Sequence, residues 1–161
     1  MIVLTDLNQI NKMKKLLIGI DPDVKKNGVA YLQRRTPFNE QMFSVEALTF
    51  FELLDMLKEK KKEFDIEVYI EAGWKIKKSN FHSKPNQKKV VGEKIAKYVG
   101  RNHETGLKIV EMCEYLSIPY TQLKPQKDYP DEEYFFKLTK VMVKGEFKQE
   151  MIDAGMQIWG R

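Results

Sequence analysis

Residues Leu16-Leu17-Ile18-Gly19-Ile20 form an unbroken apolar run that stops at Asp21-Pro22. A run this short cannot cross a membrane, and its closure by a turn signal predicts a buried β-strand. Such a strand belongs in the interior of a sheet that is covered on both faces. Its terminal carboxylate must then emerge at the edge of the sheet, because an unpaired charge inside would be costly. The rest of the chain has to be compatible with Asp21 at that place.

Gly28-Val29-Ala30-Tyr31-Leu32 predicts a second strand, joined to the first as a hairpin through residues 23–27, and Met42–Ala47 predicts a third. Phe50, Phe51, Leu53, Leu54, Leu57 and Phe64 recur at helical spacing. Glu67-Val68-Tyr69-Ile70-Glu71 returns to strand, and residues 86–117 predict a long helical stretch broken near Gly100–Gly106. Residues 118–123 predict a fifth strand, Asp131 caps a helix carrying Phe135, Phe136 and Leu138, and a last helix runs from about Phe147 to Trp159. Three leading strands followed by alternating helices and strands predict an α/β fold. Its five-stranded mixed sheet has strands 1–3 antiparallel and helices on both faces. A length of 161 residues suits one domain. Residues 1–15 read as an N-terminal extension and 16–161 as the domain.

Charge is concentrated in one place. Between Lys75 and Arg101 there are nine basic residues against the single acid Glu93, a local charge of +8 in a chain whose net charge is +5, so the remainder is negative. Lys75, Lys77, Lys78, Lys84, Lys88, Lys89 and Arg101 share this segment with Trp74, Phe81 and His82. Lysines against phosphates, with aromatics able to stack on bases, suit a nucleic-acid contact; a solvated lysine loop is the alternative on charge alone. The single cysteine, Cys113, allows no internal disulfide and falls among Leu107, Ile109, Val110, Met112 and Leu116, as a core thiol would. With no spanning apolar run and no signal-peptide core in the first residues, the expectation is a cytoplasmic protein without a membrane partner.

Further acids sit where a core would not place them. Glu71 ends the apolar strand Val68-Tyr69-Ile70, just as Asp21 ends the first. Glu150 and Asp153 are three apart on the last predicted helix and so share a face. Each has an ordinary explanation taken singly: turn chemistry for Asp21-Pro22, a strand-end charge for Glu71, exposed helix charges for the pair. Taken together, four acids meeting from two strand ends and a helix would repel one another unless a cation neutralised them. Hard carboxylate oxygens without a cysteine partner favour Mg²⁺ or Mn²⁺ over zinc. A pair of such ions about 4 Å apart can activate a water and stabilise the leaving oxygen of a phosphodiester.

Ile18-Gly19-Ile20-Asp21-Pro22 followed by Asn27-Gly28-Val29-Ala30 resembles the opening hairpin of the RuvC-type Holliday-junction resolvases, within the RNase H-like superfamily. Glu71 resembles the family's strand-four glutamate, and Glu150-Met151-Ile152-Asp153-Ala154 resembles its final-helix pair of acids. The resemblance runs from about Leu16 to the C-terminus and suits a small phage-type member. It implies an RNase H-like fold and a homodimer that binds branched DNA such as four-way junctions. It also implies a Mg²⁺- or Mn²⁺-dependent endodeoxyribonuclease with Asp21, Glu71, Glu150 and Asp153 as metal-holding catalytic acids. Trp74 occupies the position of the family's aromatic wedge, and Lys124 and Lys127 resemble residues that contact the scissile phosphate.

Two positions depart from the family pattern. Asp23 stands where glycine usually follows Asp-Pro, adding a fifth acid, and Gly155 interrupts the last helix. These favour a rival reading, a catalytically inactive nucleic-acid-binding module of the same fold. A third reading is a related nuclease acting on RNA or RNA–DNA hybrids. An actin-like ATPase shares the glycine–aspartate opening but needs two such domains. His82 and His103 read as solvent-exposed histidines.

Overall fold

In the computed structural model, which describes residues 13–35, 40–76 and 89–161, alternation along the first strand decides the layering. Strand β1 (Lys14–Asp21) sends Leu16, Ile18 and Ile20 to one side and Leu17 to the other, and all four are buried. It therefore sits at the centre of the sheet. β2 (Asn27–Arg35) and β3 (Glu40–Leu48) continue the sheet antiparallel on one flank. β4 (Phe64–Glu71) and β5 (Tyr120–Leu123) continue it parallel on the other flank. The order is β3-β2-β1-β4-β5, the predicted mixed sheet with its first three strands antiparallel.

Helix α1 (Phe50–Glu63) starts at a capping box in which Thr49 and Glu52 satisfy each other's backbone N–H. Together with α2 (Lys89–Tyr115) it covers one face: Leu53 and Leu57 of α1 and Ile109, Met112 and Cys113 of α2 pack on Ile18, Ile20, Val68 and Ile70. The opposite face is covered by α4 (Lys148–Ile158), with Ala154 and Ile158 on Leu17, Ala30 and Leu32. A short helix, α3 (Glu132–Thr139), buries Phe135 beside Met151 and Ile152 of α4. The side chain of Asp131 caps it by accepting the Tyr134 N–H at 2.9 Å. No helix among the described residues is long and apolar enough to cross a membrane.

Helix α2 is continuous where the sequence predicted a break. Gly100 faces open space and Gly106 is buried under the Trp74 ring, while the turns beyond Gly106 are anchored by Ile109, Val110, Met112 and Cys113. A helical glycine costs about 1 kcal/mol, which this burial outweighs. Gly155 also has a packing role. A Cβ there would lie 2.9 Å from the Phe135 ring and 3.1 Å from Phe43, so its bare backbone is what admits Phe135 against α4.

Two other glycines set the seat of α4. A Cβ on Gly19 would lie 2.2 Å from the Ala154 carbonyl oxygen, and one on Gly28 would lie 1.9 Å from the Glu150 carbonyl oxygen. Backbone cannot yield as a flexible side chain can, so Gly19→Ala and Gly28→Ala should each cost about 1–3 kcal/mol or more. Gly100→Ala, in open space, should gain up to about 1 kcal/mol. Thermal unfolding of the three variants checks this, and equal melting temperatures would contradict the seating of α4.

Candidate active site at the carboxyl edge of the sheet

Because Ile20 pairs with Ile70 in parallel register, the next residues, Asp21 and Glu71, leave neighbouring strands at the same edge. They also point the same way. Asp21 shares the face of Leu17 and Gly19, and Glu71 that of Tyr69, and this is the α4 face. On the other flank Asp21 pairs with Gly28, the residue over which the Glu150 backbone lies. One turn of helix then carries Asp153 to the same neighbourhood.

That placement sets the electrostatics of the acids. Burial first, and then the charges of Glu71, Asp153, Glu150 and Asp23, hold the Asp21 carboxyl well above the ordinary aspartate range. Asp153 is pushed up to about 6, by burial first and then by Glu71 and Glu150, against a hydrogen bond from Gln149 Nε2 at 2.6 Å. Burial also raises Glu71, opposed by the Tyr129 hydroxyl, which donates to its Oε2. Glu150 Oε2 is buried with no hydrogen-bond partner among the described residues. Among those residues no group of three or more acidic, histidine or cysteine side chains is already drawn together tightly enough to hold a metal ion. The acids thus share a neighbourhood without closing on a common centre. An all-oxygen donor set, mutual repulsion and an orphaned buried carboxylate oxygen fit a hard divalent cation of the Mg²⁺ or Mn²⁺ type.

A cleft of ≈ 270 Å³ opens beside Asp21 and Glu71, walled by Gly73, Trp74, Asn102 and His103 among others. Trp74 lies in the 3₁₀ turn Gly73–Lys75 and is half-buried. Its Nε1 donates to Gln122 Oε1 at 3.2 Å and its ring edge meets Gly106. His103, read from sequence as solvent-exposed, is half-buried and meets the Trp74 ring edge-on at 6.4 Å. The uninterrupted α2 presents His103 to the cleft at the sheet edge.

Asp23 is occupied structurally. Its Oδ1 accepts the Lys25 N–H at 2.8 Å and its Oδ2 accepts Asn102 Nδ2 at 3.3 Å, while Asn102 Oδ1 accepts the Val24 N–H at 3.2 Å. This reciprocal pair pins the β1–β2 turn to α2. Asp23 does not adopt a left-handed backbone, so its place needs none of a glycine's conformational freedom.

Of the basic residues, Lys75, Arg101, Lys124 and Lys127 are exposed. Arg101 lines a second hollow of ≈ 280 Å³ with Glu150, Lys25 and Tyr98. Lys77, Lys78, Phe81, His82, Lys84 and Lys88 lie outside the described residues, and Lys89 is described only as the start of the α2 backbone. Cys113 is buried and its thiol is pushed up to about 12, which removes it as a nucleophile. From the sequence Asn102 reads only as part of the helix break, and Tyr129 carries no reading. Nothing in their local pattern marks these contacts, since their partners lie 79 and 58 residues away.

No protein-family model matches the chain, and no curated protein matches it. Among solved structures, RuvC from Thermus thermophilus in complex with Holliday junction substrate is similar at TM-score 0.51 and 11% identity, covering 89% of each chain. A second Thermus thermophilus RuvC structure is similar at TM-score 0.51 and 13% identity, covering 88% of this chain and 90% of that one. At these identities the likeness is one of fold. The chain has the RuvC-like, RNase H-type architecture that the resemblance implied.

The raised carboxyl at position 153 has a consequence for stability. The folded protein binds that proton more tightly than the unfolded chain, so the contribution of Asp153 to stability falls as pH rises from about 4 to about 6 and then levels off. In EDTA, Asp153→Asn should therefore raise Tm by a few degrees at pH 7.5 and by less at pH 4.5. Melting curves at the two pH values decide, and an advantage that does not grow with pH would count against the repulsion.

Proposed function

We propose that this protein is a divalent-metal-dependent endonuclease acting on branched DNA, with four-way junctions as substrate and Asp21, Glu71, Glu150 and Asp153 holding Mg²⁺ or Mn²⁺. The observation that carries this reading is the position of Asp21. It is a carboxylate at the centre of a buried sheet's edge, repelled by Glu71, Asp153 and Glu150 and by Asp23 of the adjoining turn, beside a helix acid with an orphaned oxygen. Bound there, the cations would supply charge that stabilises the departing oxygen of a phosphodiester and makes an attacking water more acidic.

The residues of the chain divide the remaining work. The four acids bind and orient the cations and leave the edge of the sheet open to a backbone phosphate. Lys75, Lys124, Lys127 and Arg101 are exposed in elements flanking the acids and supply phosphate contacts, as do Lys77, Lys78, Lys84, Lys88 and Lys89 of the basic segment. Trp74 is fixed by Gly106, His103 and Gln122, so we assign it as a rigid wall beside the branch, with Phe81 as the aromatic of the basic segment. The homodimer belongs to the same proposal. Val91, Ile95 and Tyr98 are exposed at spacings of four and three on α2 and offer an apolar stripe for a second copy.

The rival reading of an inactive binding module rested on Asp23 and Gly155. Both have structural work instead, one tying the hairpin to α2 and the other admitting Phe135. Purified protein should nick four-way junctions in Mg²⁺ or Mn²⁺ and lose that activity in EDTA. Asp21→Asn should lower the rate by more than the ~10–100-fold typical of losing an outer-shell contact, with junction binding retained in a gel-shift assay. Cutting at the wild-type rate by that variant would reject the assignment, and preferential cutting of an RNA–DNA hybrid would replace the substrate.

A further inference from the structure

Tyr129 lies in the irregular connection between β5 and α3, on the same segment as Lys124 and Lys127. Its phenol is half-buried and donates its proton to Glu71 Oε2. The Gln126 backbone N–H points at the same phenol oxygen from 3.5 Å and can only donate, which leaves the single phenolic proton available to the carboxylate. The contact joins residues 58 apart in sequence and links the β5–α3 connection directly to the acid at the end of β4.

We propose that Tyr129 is a positioning residue. Its hydroxyl orients Glu71 for cation binding, and the same bond holds the segment bearing Lys124 and Lys127 against the site. This rests on the metal-dependent reading given above. A carboxylate offers about four lone-pair directions. The phenol takes one of them on Oε2, leaving Oε1 free to face a cation, so the contact is compatible with coordination and does not compete with it. A tyrosine has only two side-chain torsions, and half-burial restricts them further. The donor to Asp153 is different in kind: Gln149 is exposed, flexible and one turn away on the same helix. Of these two donors among the described residues, Tyr129 is thus the one able to hold a carboxylate in place. Hydrogen-bond partners behind ligating side chains are typically worth ~10–100-fold in metal affinity.

Calorimetric titration of the full chain with Mn²⁺ tests this without recourse to cleavage. Tyr129→Phe removes one oxygen and should weaken the Mn²⁺ Kd by ~10–100-fold. Tm in EDTA should be close to that of the wild type, and Gln149→Ala should change Kd far less. A purely structural role for the phenol would lower Tm and leave Kd alone. Unaltered or tighter Mn²⁺ binding by Tyr129→Phe, with normal binding by the wild type, overturns this inference alone. A wild-type chain that binds no Mn²⁺ overturns the metal site and the inference together.

Discussion

The backbone of α4 rests directly on β1 and β2 because two positions, Gly19 and Gly28, carry no side chain where the Ala154 and Glu150 carbonyl groups lie. Helices on sheets usually stand off by the thickness of a side-chain layer. Here the approach at those two points is backbone to backbone, which also sets the angle and height of the helix. Asp21 pairs with Gly28 across the hairpin. The closeness that seats α4 therefore brings Glu150 and Asp153 toward the strand-end acids. Local glycine chemistry, hydrophobic cover and the acidic cluster are one arrangement.

That arrangement is electrostatically unfavourable without a counter-charge. Asp21, Glu71 and Asp153 are all held above their ordinary pKa values, with burial the largest cause for each. What offsets the strain is the apolar material around it. Ile18, Ile20, Val68 and Ile70 are buried beneath α1 and α2, and Leu17, Ala30 and Leu32 beneath α4. The fold thus holds the acids at an edge where they repel one another. Any cation that binds the folded chain there adds its binding free energy to stability.

The residues that departed from the resemblance acquire meaning only in three dimensions. Asp23 is an acid near acids, yet its two oxygens are used by the Lys25 N–H and the Asn102 amide. Gly155 looks like a defect in a helix until Phe135 is seen to lie against it. The glycines of α2 suggested a break because glycine weakens an isolated helix. In the folded chain the C-terminal turns of α2 are held by Ile109, Met112 and Cys113 against the sheet, and tertiary burial overrides the local preference.

The strand pattern, the order of elements and the two strand-end carboxylates were legible in the amino-acid sequence, because burial on two faces writes an apolar run and a turn ends it. The spacing of Glu150 and Asp153 was legible as well, since helical periodicity puts residues three apart on one face. The tertiary structure alone decided which side of the sheet Asp21 and Glu71 share with α4, that Trp74 and His103 form a packed wall, and that Tyr129 reaches Glu71. Such contacts join residues 29 and 58 apart. Periodicity reports only on a side chain's near neighbours along its own element, so partners that meet through packing leave no imprint in the order of residues.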